Sequence, residues 1–160
     1  MLRRTKSLLG AAALALGSTT ALALSISGNA SAATPALRAQ WYAAAPYLLP
    51  EDNSPPDVSA VMDATGEKAF QLAFILAPNG GGCSPTWGGT NPISSDTTIP
   101  ATISTIRSKG GDVSVSIGGY GGTKLGQTCG TAAATAAAYQ QVIDKYGLPA
   151  VAFDLEEPEQ

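Results

Sequence analysis

The sequence contains no histidine and only two cysteines. Without an imidazole, neither a Ser-His-Asp nor a Cys-His hydrolytic centre can be built, and no histidine-ligated metal site either. Basic residues are scarce. The first 32 of the 160 residues hold three of the nine Lys and Arg and none of the twelve Asp and Glu, so the other 128 carry six basic against twelve acidic groups, a balance of −6. An acidic surface of that kind argues against nucleic acid and anionic membranes as partners. Long apolar runs are missing too, with one exception at the N-terminus, so nothing after it can span a bilayer as a helix.

The exception reads as an export signal. Arg3, Arg4 and Lys6 form a basic start, Leu8 to Leu24 is rich in Ala and Leu, and Ala30-Ser31-Ala32 offers a small-residue cleavage site. Gly17, Ser18, Thr19 and Thr20 interrupt the run and no basic stop-transfer cluster follows, which disfavours a membrane anchor. The Arg3-Arg4 pair is also compatible with twin-arginine export. Residues 1–32 are therefore expected to be a removable signal peptide, and the remainder a secreted chain with no membrane association. In an oxidising compartment Cys83 and Cys129, both in Gly-rich loops, are expected to form one disulfide. A dithiol metal or redox site is the alternative, disfavoured by the distance between them and the lack of other soft ligands.

Residues 33–56 are a lead-in with a possible first strand around Trp41 to Tyr47, ending in a Pro, Asp and Asn-rich loop. From Asp57 the pattern sharpens. Asp57 can cap a helix over Val58 to Thr65 that Gly66 stops. Phe70 to Ala77 then reads as a strand with Phe70, Leu72, Phe74 and Leu76 on one bulky face and Gln71, Ala73 and Ile75 on the other. The following loop, Gly80 to Cys83 and Trp87 to Gly89, looks too polar and too broken for a core. A second helix begins near Pro100, with Ile103 and Ile106 as its apolar stripe, Arg107 and Lys109 near its negative end, and Gly110-Gly111 as its stop. Val113 to Ile117 alternates as a strand, Gly118 to Gly122 is a loop, and an Ala-rich helix from about Thr131 to Tyr146 places Tyr139, Val142, Ile143 and Tyr146 on one face.

The last strand carries the chemistry. Leu148 to Glu156 is a short apolar run that finishes in acid, and alternation puts Ala152, Asp154 and Glu156 on one side. Neighbouring carboxylates raise one another's pKa and resist desolvation, so the pair is costly to keep without a use; solvated acids at a strand end are the bland alternative. Helix and strand alternate, which calls for parallel strands, and the small or polar faces of Ala73, Ser114, Ser116 and Ala152 suit a (β/α)8 TIM-barrel type of α/β fold with its site at the C-terminal strand ends. A nucleotide site on Gly118 to Gly122 is disfavoured because Lys124 stands where Gly-x-Gly-x-x-Gly needs its third glycine.

Ser116-Ile117-Gly118-Gly119, followed one unit later by Asp154-Leu155-Glu156, resembles glycoside hydrolase family 18, the bacterial secreted chitinases in particular. The likeness extends to Phe70-Gln71-Leu72-Ala73-Phe74 and to the Gly80 to Gly89 loop. The resemblance implies that residues 57–160 form the N-terminal half of a catalytic barrel, an incomplete one with about the first four strand–helix units, and hence a truncated or degenerate glycosidase. It implies chitin or N-acetylglucosamine oligomers as substrate and no cofactor or metal. Glu156 would be the general acid, its pKa lifted by its neighbour and by burial. Asp154 would orient the substrate's own N-acetyl group as the nucleophile, the route that departs from the usual two-carboxylate scheme. Ser116 would hydrogen-bond Asp154, Gly118 and Gly119 would leave room for the sugar, and Trp87 would offer a solvent-side surface for binding. Two further family aspartates fall at Pro149 and Ala152, which predicts weakened activity. A non-catalytic chitin-binding protein is the competing expectation.

Overall fold

The structure, a computed structural model, describes residues 42–51 and 54–156. The expected signal peptide, its cleavage site and Trp41 lie outside the described residues. Within them the chain is an α/β fold with one six-stranded sheet. Strand β1 covers Tyr47–Leu48, helix α1 Val58–Thr65, β2 Ala69–Leu76, β3 Thr86–Trp87 and β4 Asn91–Pro92. Then follow α2 Thr98–Ser108, β5 Asp112–Gly118, α3 Leu125–Thr128, α4 Ala132–Tyr146 and β6 Val151–Asp154.

Four strands, β1, β2, β5 and β6, lie side by side in chain order, each parallel to the next. Helices α1, α2 and α4 fill the three connections, as parallel neighbours require. β3 and β4 are an antiparallel hairpin added to the C-terminal end of β2. The parallel order runs on without the reversal that marks the switch point of a doubly wound sheet.

Local signals account for the helices. The Asp57 carboxylate accepts from the amides of Ser59 and Ala60 at 2.9 and 3.3 Å, and Gly66 ends α1 at φ +75°. Asp96 does the same for α2 through Thr98 and Ile99. Thr131 caps α4, and Gly147 stops it at φ +57°. Their buried faces (Val58 and Met62; Ile99, Ile103 and Ile106; Ala138, Val142 and Tyr146) close over Phe70, Leu72, Val113 and Val115 in one core.

Three expectations need correcting. β2 does not keep one bulky face. Leu72 pairs with Val115 but Ile75 with Ile117, three residues advancing against two, and this bulge inverts the alternation. Ile75 and Ala77 therefore join Phe70 and Leu72 in the core, while Phe74 and Leu76 turn to a cleft on the other side. The Ala73–Phe74 peptide is cis. Second, the segment after β2 does enter the core: Trp87 and Ile93 are buried with it. Third, the final strand is shorter than Leu148 to Glu156, and Phe153 within it and Leu155 just after it are exposed by 55% and 53%. β6 pairs only with β5 among the described residues, so nothing there covers its outer side.

Candidate functional site at the strand ends

β5 and β6 run in register, Ser116 beside Ala152 and Gly118 beside Asp154. That pairing delivers Asp154 to the C-terminal end of the sheet next to the Gly118-Gly119 turn. A methyl carbon at Gly118 would fall 2.1 Å from the Asp154 carbonyl oxygen, and one at Gly119 would fall 3.1 Å from the Phe74 ring. Both glycines also have positive φ, +118° and +91°. Close backbone approach is thus what these two positions supply. The Gly119 amide donates to that same Asp154 carbonyl at 2.7 Å.

Tyr47, at the start of β1, reaches across to both strands. Its hydroxyl donates to Asp154 Oδ2 at 3.3 Å and meets Ser116 Oγ at 3.5 Å. A phenol has one proton, so with that proton on the carboxylate side Ser116 must be the donor in the second contact. The result is a directed chain from Ser116 through Tyr47 to Asp154. Both contacts exceed the roughly 2.7–2.8 Å of a relaxed hydroxyl bond. The Tyr47 ring also packs on Phe74, centroids 5.5 Å apart. Ser116 is fully buried, Asp154 half-buried.

Beside this group opens a cleft of about 390 Å³ whose walls include Leu49, Phe74, Asn91 and the Gly118 to Gly121 loop, with Glu51 at its rim. Ser116, Asp154 and Glu156 do not line it.

Of the residues singled out from sequence, Ser116, Gly118, Gly119 and Asp154 come together. The direct Ser116–Asp154 bond gives way to the Tyr47 bridge, because the two side chains stand on adjacent strands with room for a hydroxyl between them. Glu156 follows β6 in irregular chain and is exposed, so the burial expected of the acid is not there. Trp87 is 1% exposed, not a solvent-side ring: its indole donates to the Tyr146 hydroxyl at 2.8 Å, and that hydroxyl donates to Asp96 at 2.7 Å. Burial first, and the bond to Asp96 second, hold the Tyr146 phenol protonated well above its usual range. Cys83 and Cys129 are joined in a disulfide across a separation of 46 residues. The sequence places Tyr47 only in a possible first strand and not at the site, since a two-residue strand in an Ala-rich segment leaves no periodicity to aim its side chain.

Comparison with known proteins decides what this arrangement is like. The catalytic domain of a hyperthermophilic chitinase from Pyrococcus furiosus superposes with a TM-score of 0.62 and 31% identity, over 71% of this chain and 36% of that one. This chain is similar to part of a chitinase catalytic domain. Catalytic-site mutants of active domain 2 of a thermostable P. furiosus chitinase, complexed with chito-oligosaccharides, match this chain at TM-score 0.61 and 31% identity, over 69% of it and 36% of theirs. In sequence, 112 residues, 70% of this chain, are 30% identical to the probable bifunctional chitinase/lysozyme of Escherichia coli K12. The matched part spans 12% of that relative's length and about a third of the structural ones. No protein-family model matches the chain.

Proposed function

We propose that the chain is an exported glycoside hydrolase of family 18 type, acting weakly on chitin or N-acetylglucosamine oligomers, with its parallel strands as one wall of a (β/α)8 barrel. The observation that carries this reading is the Ser116–Tyr47–Asp154 chain of hydroxyls at the C-terminal strand ends, in a fold similar to chitinase catalytic domains. Asp154, held by Tyr47, orients the N-acetyl group so that its carbonyl oxygen attacks the anomeric carbon, and Glu156 protonates the departing glycosidic oxygen. The glycines at 118 and 119 leave backbone close to the sugar.

Exposure of Glu156 favours a second reading. Glu156 is open to water where a general acid is expected to be enclosed beside its substrate, and Ala152 supplies no second carboxylate beside Asp154. A sugar-binding protein without turnover would have these features. The two readings separate on a fluorogenic N-acetylchitobioside: the hydrolase releases fluorophore, and both Glu156→Gln and Asp154→Asn abolish the release. Chitin pull-down with no soluble sugar released supports the binding reading. Equal rates for the parent and Glu156→Gln remove Glu156 from the acid's role.

A further inference from the structure

Lys124 is 3% exposed, yet its charge is not wasted. Its ammonium donates to the carbonyls of Gly121 and Gly122 at 3.0 Å each and of Tyr120 at 3.4 Å. Three consecutive carbonyl oxygens therefore converge on one point. Three carbonyl dipoles aimed at one point repel one another unless a cation sits between them, and a compact ammonium with three protons is matched to such a cage. The lysine is itself anchored. Its amide donates to Gln127 Oε1 at 2.7 Å, and the neighbouring Thr123 carbonyl accepts from Ala77 at the end of β2 at 2.9 Å. A methyl carbon at Gly122 would meet Leu76 at 2.6 Å, so the loop also packs down on β2.

The caged segment is the cleft wall. Gly119, Tyr120 and Gly121 line the cleft, and Tyr120 projects from it with 76% of its surface exposed. A run with glycine at 118, 119, 121 and 122 has little intrinsic preference for one shape. We infer that Lys124 is a positioning residue: its ammonium holds the Gly119 to Gly122 loop in the one conformation that forms the cleft wall, and so sets ligand affinity without touching ligand. The affinity part of this inference rests on the sugar-site reading above.

The test uses the whole chain and Lys124→Met, which keeps the stem and removes the charge, with tetra-N-acetylchitotetraose as the probe. Loss of the cage lowers the fraction of chains with a competent loop. If that fraction falls to about a tenth, apparent Kd rises about tenfold. The expected result is that weakening at a temperature where the variant is fully folded, together with faster amide exchange confined to residues 119–122. Unchanged exchange, or an unchanged Kd in the folded variant, would overturn the inference alone. Absence of binding by the parent would overturn both it and the sugar-site reading. Should Lys124→Met not fold, the parent answers: the ammonium protons of Lys124 should exchange with water far more slowly than those of exposed Lys145, and equal rates refute the cage.

Discussion

Gly118→Ala should be among the most damaging single-methyl additions in this chain. The new carbon would lie 2.1 Å from the Asp154 carbonyl oxygen and 2.9 Å from its carbon, both main-chain atoms that cannot rotate away. The residue would also have to hold φ at +118°, a region that costs a side-chain-bearing residue about 1–3 kcal/mol. Relief requires β6 to move off β5, which breaks the 2.7 Å bond from the Gly119 amide to Asp154, worth about 1 kcal/mol net. Together these come to about 3 kcal/mol, a large share of the roughly 5–15 kcal/mol that holds a domain folded. Gly121→Ala is the matched control, since its added carbon meets nothing within 4 Å. It should change stability by no more than about 0.5 kcal/mol. Urea unfolding of parent, Gly118→Ala and Gly121→Ala, followed by far-UV circular dichroism, gives the comparison. Coincident midpoints for parent and Gly118→Ala would refute the placement of Asp154 against this turn.

Reducing the Cys83–Cys129 bridge, or replacing both residues with Ser, releases a loop closed across 46 residues and should cost about 4 kcal/mol on the chain-entropy account, read as a lower urea midpoint. Tyr47→Phe removes the hydroxyl between Ser116 and Asp154 from a half-exposed ring, so stability should fall by only about 0.5–1.5 kcal/mol while chitobioside turnover falls at least about tenfold; unaltered turnover would detach Tyr47 from the site. Tyr146→Phe strands the Trp87 indole and should cost about 1–3 kcal/mol at neutral pH. Because the folded-state pKa of Tyr146 is raised, its contribution is complete below the unfolded value of about 10 and is lost as pH climbs beyond it. The parent should therefore lose stability above about pH 10 more steeply than the Phe variant, and parallel curves would contradict the burial of that phenol.

What could be read from the sequence was whatever is decided locally. Asp57, Gly66, Thr131 and Gly147 bound their helices because a cap is settled within four residues. Val113 to Ile117 is legible as β5 because three β-branched residues at every second position favour extended backbone on their own. Features set by a neighbour's register were hidden. The bulge that turns Phe74 into the cleft depends on how β2 meets β5, and the burial of Trp87 depends on Tyr146, 59 residues away. Lys124 shows in the sequence only as the residue that spoils a Gly-x-Gly-x-x-Gly motif, because its bonds to the carbonyls of residues 120–122 depend on how the glycine loop folds back, which no periodicity announces. Ser116, Gly118, Gly119 and Asp154 were found as spaced motifs on consecutive strands. Tyr47, which joins them, carries no motif of its own.

The most direct test of the central claim is to titrate the 15N-labelled chain with tetra-N-acetylchitotetraose and watch the backbone amides. Sugar held at the strand ends should shift Gly118, Gly119, Tyr120 and Asp154 together, saturably and with one Kd. Shifts confined to the exposed Phe153 and Leu155, or none at saturating sugar, would contradict a carbohydrate site built on the Ser116–Tyr47–Asp154 chain.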